Sequence, residues 1–511
     1  MAGLISGDVL ARYHRLKGDN VIYVSGTDCH GTPITERAKK ENTTPKEICE
    51  HYHDEFVKTF NAIDFSYDLY SKTDTEYHSK KVQEVFKKLY DNGYIYEKIE
   101  PQAFCEKCNK FLQDREIQIT CPKCGAVSKA DQGDNCGHTP SLEDLKGGVC
   151  LTCGEKTVEI DNKNIYFALS KFQDDIQKNT DKCKSMWRIN AQNETLKYLR
   201  EGLKDRAVTR DLDWGVDIPL PGYEDKKMYV WIDAVLGYLT DTMYLAEEGK
   251  IPSWEQFWKN GNDSKIYMCH GKDNIVFHSI IFNGLLLGMN EDFHLVDVIV
   301  STEYLNINDE KISKSKGNGI TTLEMLEKYN SDSIRFHIIN NGPEKKDTNF
   351  TLEDFERTHN NELLNKFGNL VNRTLRFKDL NKIEVAKMNK EAEDKIDETY
   401  KEVALAIENL EFKNATDKVM ELVEFANKFY DEEKPWIQRK EDIEGFNNTI
   451  YTCAVIIANL SNLFEPFMPR ACEKIRKYLG ISNPSWNKIS IDSDINLEGI
   501  DPLFERIKVN G

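Results

Sequence analysis

No stretch of this 511-residue chain reaches the ~18 consecutive apolar residues of a membrane span. The nearest candidates, around 280–289 and 453–459, are too short. The opening residues lack a basic stretch, an apolar core and a cleavage site, and no lipidation signal is present. Nothing directs export, so the cytoplasm is expected. A basic surplus is missing as well: the net charge of −18 excludes a generic polyanion binder, though not recognition through chosen local contacts. Internal repeats and low-complexity segments are absent. What is present is ordinary globular material, 40% apolar with 24 Phe and 22 Tyr, at a length that calls for roughly two to four domains. Cysteine is not scarce. Seven of the thirteen crowd into 105–153 in paired spacing, which in a cytoplasmic chain means metal rather than disulfides.

Ile5, Val9, Leu10, Tyr13 and Leu16 form a helical stripe over Leu4–Lys17 that ends at Gly18. A short buried strand is expected at Val21–Val24, followed by the turn-rich SGTDCHGTPI. Strand followed by polar loop is the layout of a doubly wound sheet, whose ligands sit at the carboxyl ends of strands. Residues 45–93 read as helical, and residues 95–165 as a small insert held by metal. Lys265–Cys269 and Asp297–Ser301 read as strands, His270–Asn274 as a loop and Ile275–Leu287 as a buried helix. Beyond about 350 the pattern is helical to roughly 480. A helix that opens a doubly wound domain should follow a strand, so a strand ahead of Met1 is expected.

Cys105-x-x-Cys108, Cys121-x-x-Cys124 and Cys150-x-x-Cys153 are three knuckles, with a partial fourth at Cys136-Gly-His138. Each turn aims two thiolates at one tetrahedral Zn²⁺, and two turns close a site with no position left for water. The expected role is structural, with one or two ions. The nested pairing puts Cys105, Cys108, Cys150 and Cys153 on one ion, and Cys121, Cys124, Cys136 and His138 on the other.

Lys311-Ile312-Ser313-Lys314-Ser315-Lys316-Gly317-Asn318 follows a strand and precedes a helix-like segment. Ammonium groups on a Ser/Gly loop suit a mobile lid that neutralises a triphosphate and its leaving pyrophosphate. Polar residues recur at the other strand ends: Asp28 and His30, Arg210 in VTRDLDWG, and His270, Lys272 and Asp273 in HGKDNIVFH. MYVWIDAVLGY adds Trp231 and Tyr238. A strand-end carboxylate can hold an ammonium, and an aromatic wall can hold a thioether.

KISKSKGN resembles the KMSKS loop of class I aminoacyl-tRNA synthetases. With GTDCHGTPI, TRDLDWG, YVWIDA-x-x-GY and HGKD-x-x-x-FH, the chain is similar to the methionyl-tRNA synthetase family from residue 1 to about 480. The resemblance implies a Rossmann-type α/β catalytic domain in two parts (1–94 and 166–345), split by a zinc-knuckle insert (95–165), then an α-helical anticodon-binding domain (346–511). It implies ATP-dependent activation of L-methionine and transfer to tRNA(Met), with Mg²⁺ accompanying ATP. Asp28 would take the methionine α-amino group, and Trp231, Tyr238 and His278 would line the side-chain pocket. Arg210 and Asp273 would act at the nucleotide and adenylate. Lys311, Ser313, Lys314 and Ser315 would handle the triphosphate, with Lys311, Lys314 and Arg210 as the catalytic set. Val235 stands where the family often has Pro, a departure expected to alter loop stiffness.

Asn369 and Arg373 are four apart on one polar helix face, and Pro435-Trp436 sets an indole just past a helix. Hydrogen bonding by Asn and Arg and stacking on Trp suit base recognition. The family resemblance implies that these residues read the CAU anticodon. The family's His-x-Gly-His motif is not in the chain and is expected ahead of Met1. The alternative expectation is therefore a fragment that binds tRNA and zinc without making adenylate. The family's appended dimerisation domain is also not in the sequence, so a monomer is expected.

Overall fold

The computed structural model describes residues 2–112, 116–122, 124–129, 147–307, 310–311 and 321–508, with backbone alone at Lys129, Glu310 and Lys311. The opening helix spans Ile5–Lys17 and buries the expected stripe of Ile5, Val9, Leu10, Tyr13 and Leu16. Gly18 stops it with φ 87°, a left-handed conformation in which its N–H reaches the Arg15 carbonyl and the Asp19 N–H reaches that of His14.

Parallel strand pairs lie in the α/β region. Val24–Thr27 pairs with Leu69–Lys72, Val24 opposite Leu69, and Tyr267–Gly271 pairs with Val298–Thr302, Tyr267 opposite Val298. All five residues of Val298–Thr302 are buried, as expected of a parallel strand covered on both faces. The first strand starts three residues later than its apolar run suggests. Residues 45–93 are not continuously helical: Pro45–Ala62 and Glu76–Asp91 flank the strand Leu69–Lys72. That strand is four half-buried residues without alternation, so only its partner identifies it. His270 and Gly271 end a strand instead of opening a loop. The helical run beyond them contains a wide turn at Phe277–Ile281, a feature that concentrates at functional sites.

The insert is a long antiparallel ribbon, Ile95–Cys105 against Val158–Phe167, running from Ile95 opposite Phe167 to Phe104 opposite Val158. A three-stranded sheet caps it, with Ile117–Thr120 between Val127–Lys129 and Val149–Cys150. Its small core includes Ala103, Cys105, Leu112, Ile117, Ile119 and Cys150.

The C-terminal region is a helical bundle around Ile443–Leu463, which is buried on nearly every side. Lys390–Glu408, Phe412–Glu433 and Pro469–Leu479 pack about it. The apolar core of this bundle runs without a break into Ile5 and Val9 of the opening helix, Ile63 at the end of Pro45–Ala62, and Val298 of the strand Val298–Thr302. Arg335, fully buried, rivets the junction: it donates to Asp8 Oδ2 (2.6 Å) on the opening helix, to the Ile63 carbonyl, and to the carbonyls of Pro466 and Phe467. Among the described residues, no helix is long and apolar enough to cross a membrane.

One disulfide was not expected. Cys29 and Cys49 are bonded, with Cα atoms 5.4 Å apart, tying the loop after the first strand to the helix Pro45–Ala62. Twenty residues separate them, and no spacing pattern marks such a pair in the sequence.

Candidate functional site

The helix Val230–Glu247 organises one end of the sheet. Trp231 and Asp233 lie in its first turn and Tyr238 lies further along. Val235 is the sixth residue of this helix and is buried, so the departure from Pro falls inside a helix and not in a loop. The loop holding Asp28 and His30 packs against the helix start. Gly31 makes this approach at φ 108°, where a Cβ would lie 3.7 Å from Val230 Cγ1.

His30 Nδ1–H donates to Asp233 Oδ2 at 2.5 Å, with both side chains almost wholly buried. The His30 backbone N–H donates to Asp28 Oδ1 at 3.3 Å. The neighbouring Cys29 carbonyl accepts from Trp214 Nε1 at 2.7 Å, and the Trp214 ring meets His30 edge-on at 5.6 Å. Burial, then the nearby Asp233 charge, pushes the Asp28 carboxyl up to about 7. Asp28 is therefore a carboxylate in dry surroundings, where an ammonium partner is strongly favoured.

Next to it lies an aromatic wall. His278 Nδ1–H donates to the Asn274 carbonyl at 2.8 Å, so its Nε2 accepts from the Tyr238 hydroxyl at 3.0 Å. Burial takes His278 down to about 4, which keeps the ring neutral. The ring of His270 stacks on it at 4.2 Å and is likewise held far below the usual histidine range by burial. Trp231 lies flat on Phe277 with centroids 3.8 Å apart. Phe277, in the wide turn beside His278, was missed as a site residue, although it stands in the HGKDNIVFH segment that marked its neighbours.

Arg210 packs its guanidinium over Tyr229, 3.9 Å from the ring centre, and donates to the Thr209 carbonyl at 2.9 Å. Tyr229 immediately precedes the helix with Trp231, so Arg210 borders the same end of the sheet. Asp273 follows the strand Tyr267–Gly271 in a single turn and accepts from the Tyr304 hydroxyl. Lys272 turns away to Glu303 (2.5 Å) and Asp347 (2.9 Å). Lys311 pairs through its backbone with Asn306, while Ser313, Lys314 and Ser315 lie outside the described residues.

In the insert, the outer knuckles meet. Cys105 Sγ lies 3.4 Å from Cys153 Sγ and Cys108 Sγ 3.9 Å from Cys150 Sγ, and all four sulfurs fall within 4.8 Å of one another. An ion bonded to four sulfurs at about 2.3 Å spaces them about 3.8 Å apart, so this donor set fits tetrahedral zinc. Cys121 and Cys124 flank a tight turn closed by Gly125 N–H to the Cys121 carbonyl at 2.9 Å. Cys136 and His138 lie outside the described residues.

The third constellation lies on the helical bundle. Asn369 and Arg373 lie on the helix Asn369–Leu375, and Asn369 is exposed. Arg373 donates to Asp431 Oδ1 (2.8 Å) and to the Asn427 carbonyl (2.7 Å), and its guanidinium covers Tyr430 at 4.1 Å. Lys434 breaks the helix Phe412–Glu433 with φ 50°, letting Pro435 start the next one. That break projects Trp436, 48% exposed, beside Tyr430 with ring centroids 6.2 Å apart. The structure thus pairs Tyr238 with His278 and Trp231 with Phe277 along one helix, sets Asp28 in the loop packed at that helix's start, and places Asn369, Arg373 and Trp436 on the helical bundle.

Comparison with known proteins follows the same division. The family described as tRNA synthetases class I (M) matches residues 1–375, and the anticodon-binding domain of tRNA ligases matches 389–507. Methionine–tRNA ligase 1 of Alkaliphilus oremlandii is 45% identical over 511 residues, covering 99% of this chain and 94% of that protein. The methionine–tRNA ligase of Bacillus mycoides is 44% identical over 515 residues, covering 100% and 94%. A Mycobacterium tuberculosis methionyl-tRNA synthetase, solved in complex with methionyl-adenylate, superposes with a TM-score of 0.80 at 22% identity, over 99% of this chain and 96% of that one.

Proposed function

The chain belongs to the class I methionyl-tRNA synthetases, and from that premise we propose how its residues divide the work. Its activity is the ATP-dependent ligation of methionine to tRNA. In the first step the methionine carboxylate attacks the α-phosphorus of ATP, forming methionyl-adenylate and releasing pyrophosphate. In the second, a terminal ribose hydroxyl of tRNA(Met) attacks the acyl carbon and AMP leaves. Positioning and charge stabilisation accomplish both, with no covalent enzyme nucleophile.

Asp28 holds the α-ammonium. Trp231, Tyr238 and His278 surround the thioether, and the neutral state of His278 keeps that pocket apolar. Arg210 and Asp273 attend the nucleotide and the adenylate. Lys311 and Lys314, with Ser313 and Ser315, neutralise the triphosphate as pyrophosphate departs. Mg²⁺ bound with ATP would share that neutralisation.

Zinc at Cys105, Cys108, Cys150 and Cys153 stabilises the insert, and a second ion takes Cys121, Cys124, Cys136 and His138. Elemental analysis should find close to two zinc ions per chain, and one would remove the second site. Asn369 and Arg373 hydrogen-bond anticodon bases while Trp436, set by Pro435, stacks on one. We read the catalytic parts as 1–94 and 166–345, the insert as 95–165 and the anticodon-binding region as 346–511, in a monomer acting in the cytoplasm.

The observation that carries this reading is that a buried carboxylate in the loop at the start of one helix, and a neutral Tyr–His pair and a Trp–Phe stack along that helix, lie in the same part of the molecule. The test is methionine-dependent ATP–pyrophosphate exchange together with charging of tRNA(Met). Both are expected. Exchange missing while zinc and tRNA binding persist would leave the binding-only reading in its place.

A further inference from the structure

The loop that carries Asp28 also buries a second ionic pair with no role in the assignments above. His30 Nδ1 and Asp233 Oδ2 lie 2.5 Å apart, with side-chain exposures of 5% and 0%. Asp233 Oδ1 has no hydrogen-bond partner among the described residues. The pair straps the loop holding Asp28 to the helix that presents Trp231 and Tyr238. It thus fixes the distance between the ammonium end and the thioether end of the pocket.

Charge counting gives the strap a second task. Two carboxylates, Asp28 and Asp233, share a dry space, and like charges so placed resist joint ionisation. His30 is bonded to both, its imidazole to Asp233 and its backbone N–H to Asp28, so its ring can set a positive charge beside the pair. We propose that His30 is a positioning residue for methionine, whose imidazolium cancels the Asp233 charge so that Asp28 stays ionised for the α-ammonium. With His30 protonated the trio carries one net negative charge, which matches one ammonium. Without that proton it carries two, and Asp28 is driven towards its neutral form.

Burial raises the Asp233 carboxyl, and the His30 hydrogen bond and charge are the largest influences opposing that rise, so it is the proton on His30 that favours an ionised Asp233. Burial alone would lower His30, but the hydrogen bond and charge of Asp233, then the charges of Asp28 and Asp74, raise it above the usual histidine range. On the far side, His78 is buried, hydrogen-bonded to Thr240 Oγ1, and kept neutral near 3 by desolvation and then by the His30 charge. The ring packed against the imidazole is that of the uncharged Trp214.

The inference rests on the reading of Asp28 as the ammonium holder, and the test separates the two. Methionine affinity of the full chain, followed by tryptophan fluorescence from about pH 5.5 to about 8.5, should show an acidic limb set by Asp28. His30→Gln keeps a hydrogen-bond donor but no charge. It should move that limb to higher pH by about one pH unit. At pH 7, about the midpoint of Asp28 in the unaltered protein, a carboxyl moved that far falls from about half to about one-tenth ionised, so methionine should bind about fivefold more weakly there, about tenfold more weakly near pH 5.5, and almost equally at the alkaline end. Adding Asp233→Asn to His30→Gln removes the surplus negative charge and should return the limb to, or below, its original place. A merely mechanical strap predicts the opposite: the limb stays still and the double variant binds worse than the single. That outcome overturns the proposal. Should the variants fail to fold, the ¹⁵N resonances of His30 in the unaltered protein decide, because a neutral ring at pH 7 is incompatible with it. Asp28→Asn leaving affinity intact would instead remove the reading of Asp28 itself.

Discussion

The proposed amino-acid pocket and the proposed anticodon face are both built from a charged pair beside aromatic rings, yet they treat water oppositely. In the pocket, the His30–Asp233 pair is 5% and 0% exposed, and the titratable groups around it are displaced from their usual ranges by desolvation. On the helical bundle, the Arg373–Asp431 pair is 20% and 62% exposed and Trp436 stands half in solvent. A free amino acid supplies few atoms, so the protein must exclude water itself before an ammonium and a thioether can be told from their competitors. A tRNA brings its own bulk and completes the burial of exposed groups on arrival. A dry pocket and a wet face are two answers to ligand size.

If the two regions are one folded body, the first way to break the comparison is at their junction. Asp8→Ala leaves Arg335, fully buried, without its carboxylate. Removing one member of a buried pair costs about 3–5 kcal/mol, and this should appear as a single lowered melting transition followed by probes in both regions. Two separate transitions, with only the sheet affected, would show that the shared apolar core does not couple them. The Arg335 and Arg12 charges overcome the burial that would raise the Asp8 carboxyl and hold it below its ordinary value. Its contribution to stability is therefore complete above the ordinary carboxylate range and is lost as the pH falls through the lowered value.

The next test concerns the pocket alone. Asp28→Asn should reduce methionine-dependent exchange by roughly tenfold to a hundredfold at neutral pH, the range for losing a charged hydrogen bond of about 1.5–3 kcal/mol, with tRNA affinity unchanged. In the unaltered chain, methionine binding should weaken as the pH falls below about 7, because Asp28 must be ionised to hold the ammonium. A flat profile over that interval would mean that another group holds it.

The sequence was most legible where chemistry comes in short motifs or regular periods. The stripe of the opening helix and the knuckle pairs of Cys105, Cys108, Cys150 and Cys153 depend on local spacing, and both survive in the fold. Asp28, Trp231, Tyr238 and His278 were named through motif resemblance, and of these Tyr238 and His278 are joined by a hydrogen bond. What spacing does not encode was lost. The strand Leu69–Lys72 exists because Val24–Thr27 lies beside it, and the Cys29–Cys49 bond joins a loop to a helix. His30 and Asp233 are 203 positions apart. Each residue stood in a quoted motif, but their pairing is a property of the folded chain.

On the wet face, Trp436→Ala should weaken tRNA binding by about 1–3 kcal/mol, the usual value of stacking one base on an aromatic ring. Exchange measured without tRNA should be unaffected. Equal losses in the two assays would show that Trp436 serves the fold and would erase the contrast between the sites.

The smallest expected effect sharpens the contrast most. Asp431 accepts from Arg373 at 2.8 Å, but Arg373 also donates to the Asn427 carbonyl and covers the Tyr430 ring. The Tyr430 hydroxyl donates in turn to the Arg373 carbonyl at 2.9 Å. The guanidinium is therefore oriented by a backbone oxygen and an aromatic face, with the exposed carboxylate as a third and dispensable partner. An exposed ion pair contributes about 0–1 kcal/mol, so Asp431→Asn should hardly change the melting temperature and should shift tRNA affinity by no more than about fivefold. The sign should be favourable, because a negative charge beside the anticodon is removed while Arg373 keeps its place. Arg373→Ala, by contrast, deletes the donor itself and should lower affinity for tRNA(Met) by more than the Asp431 change. If Asp431→Asn proved as damaging as Arg373→Ala, the pair would be acting as a rigid unit like His30 with Asp233, and exposure would no longer distinguish the two sites.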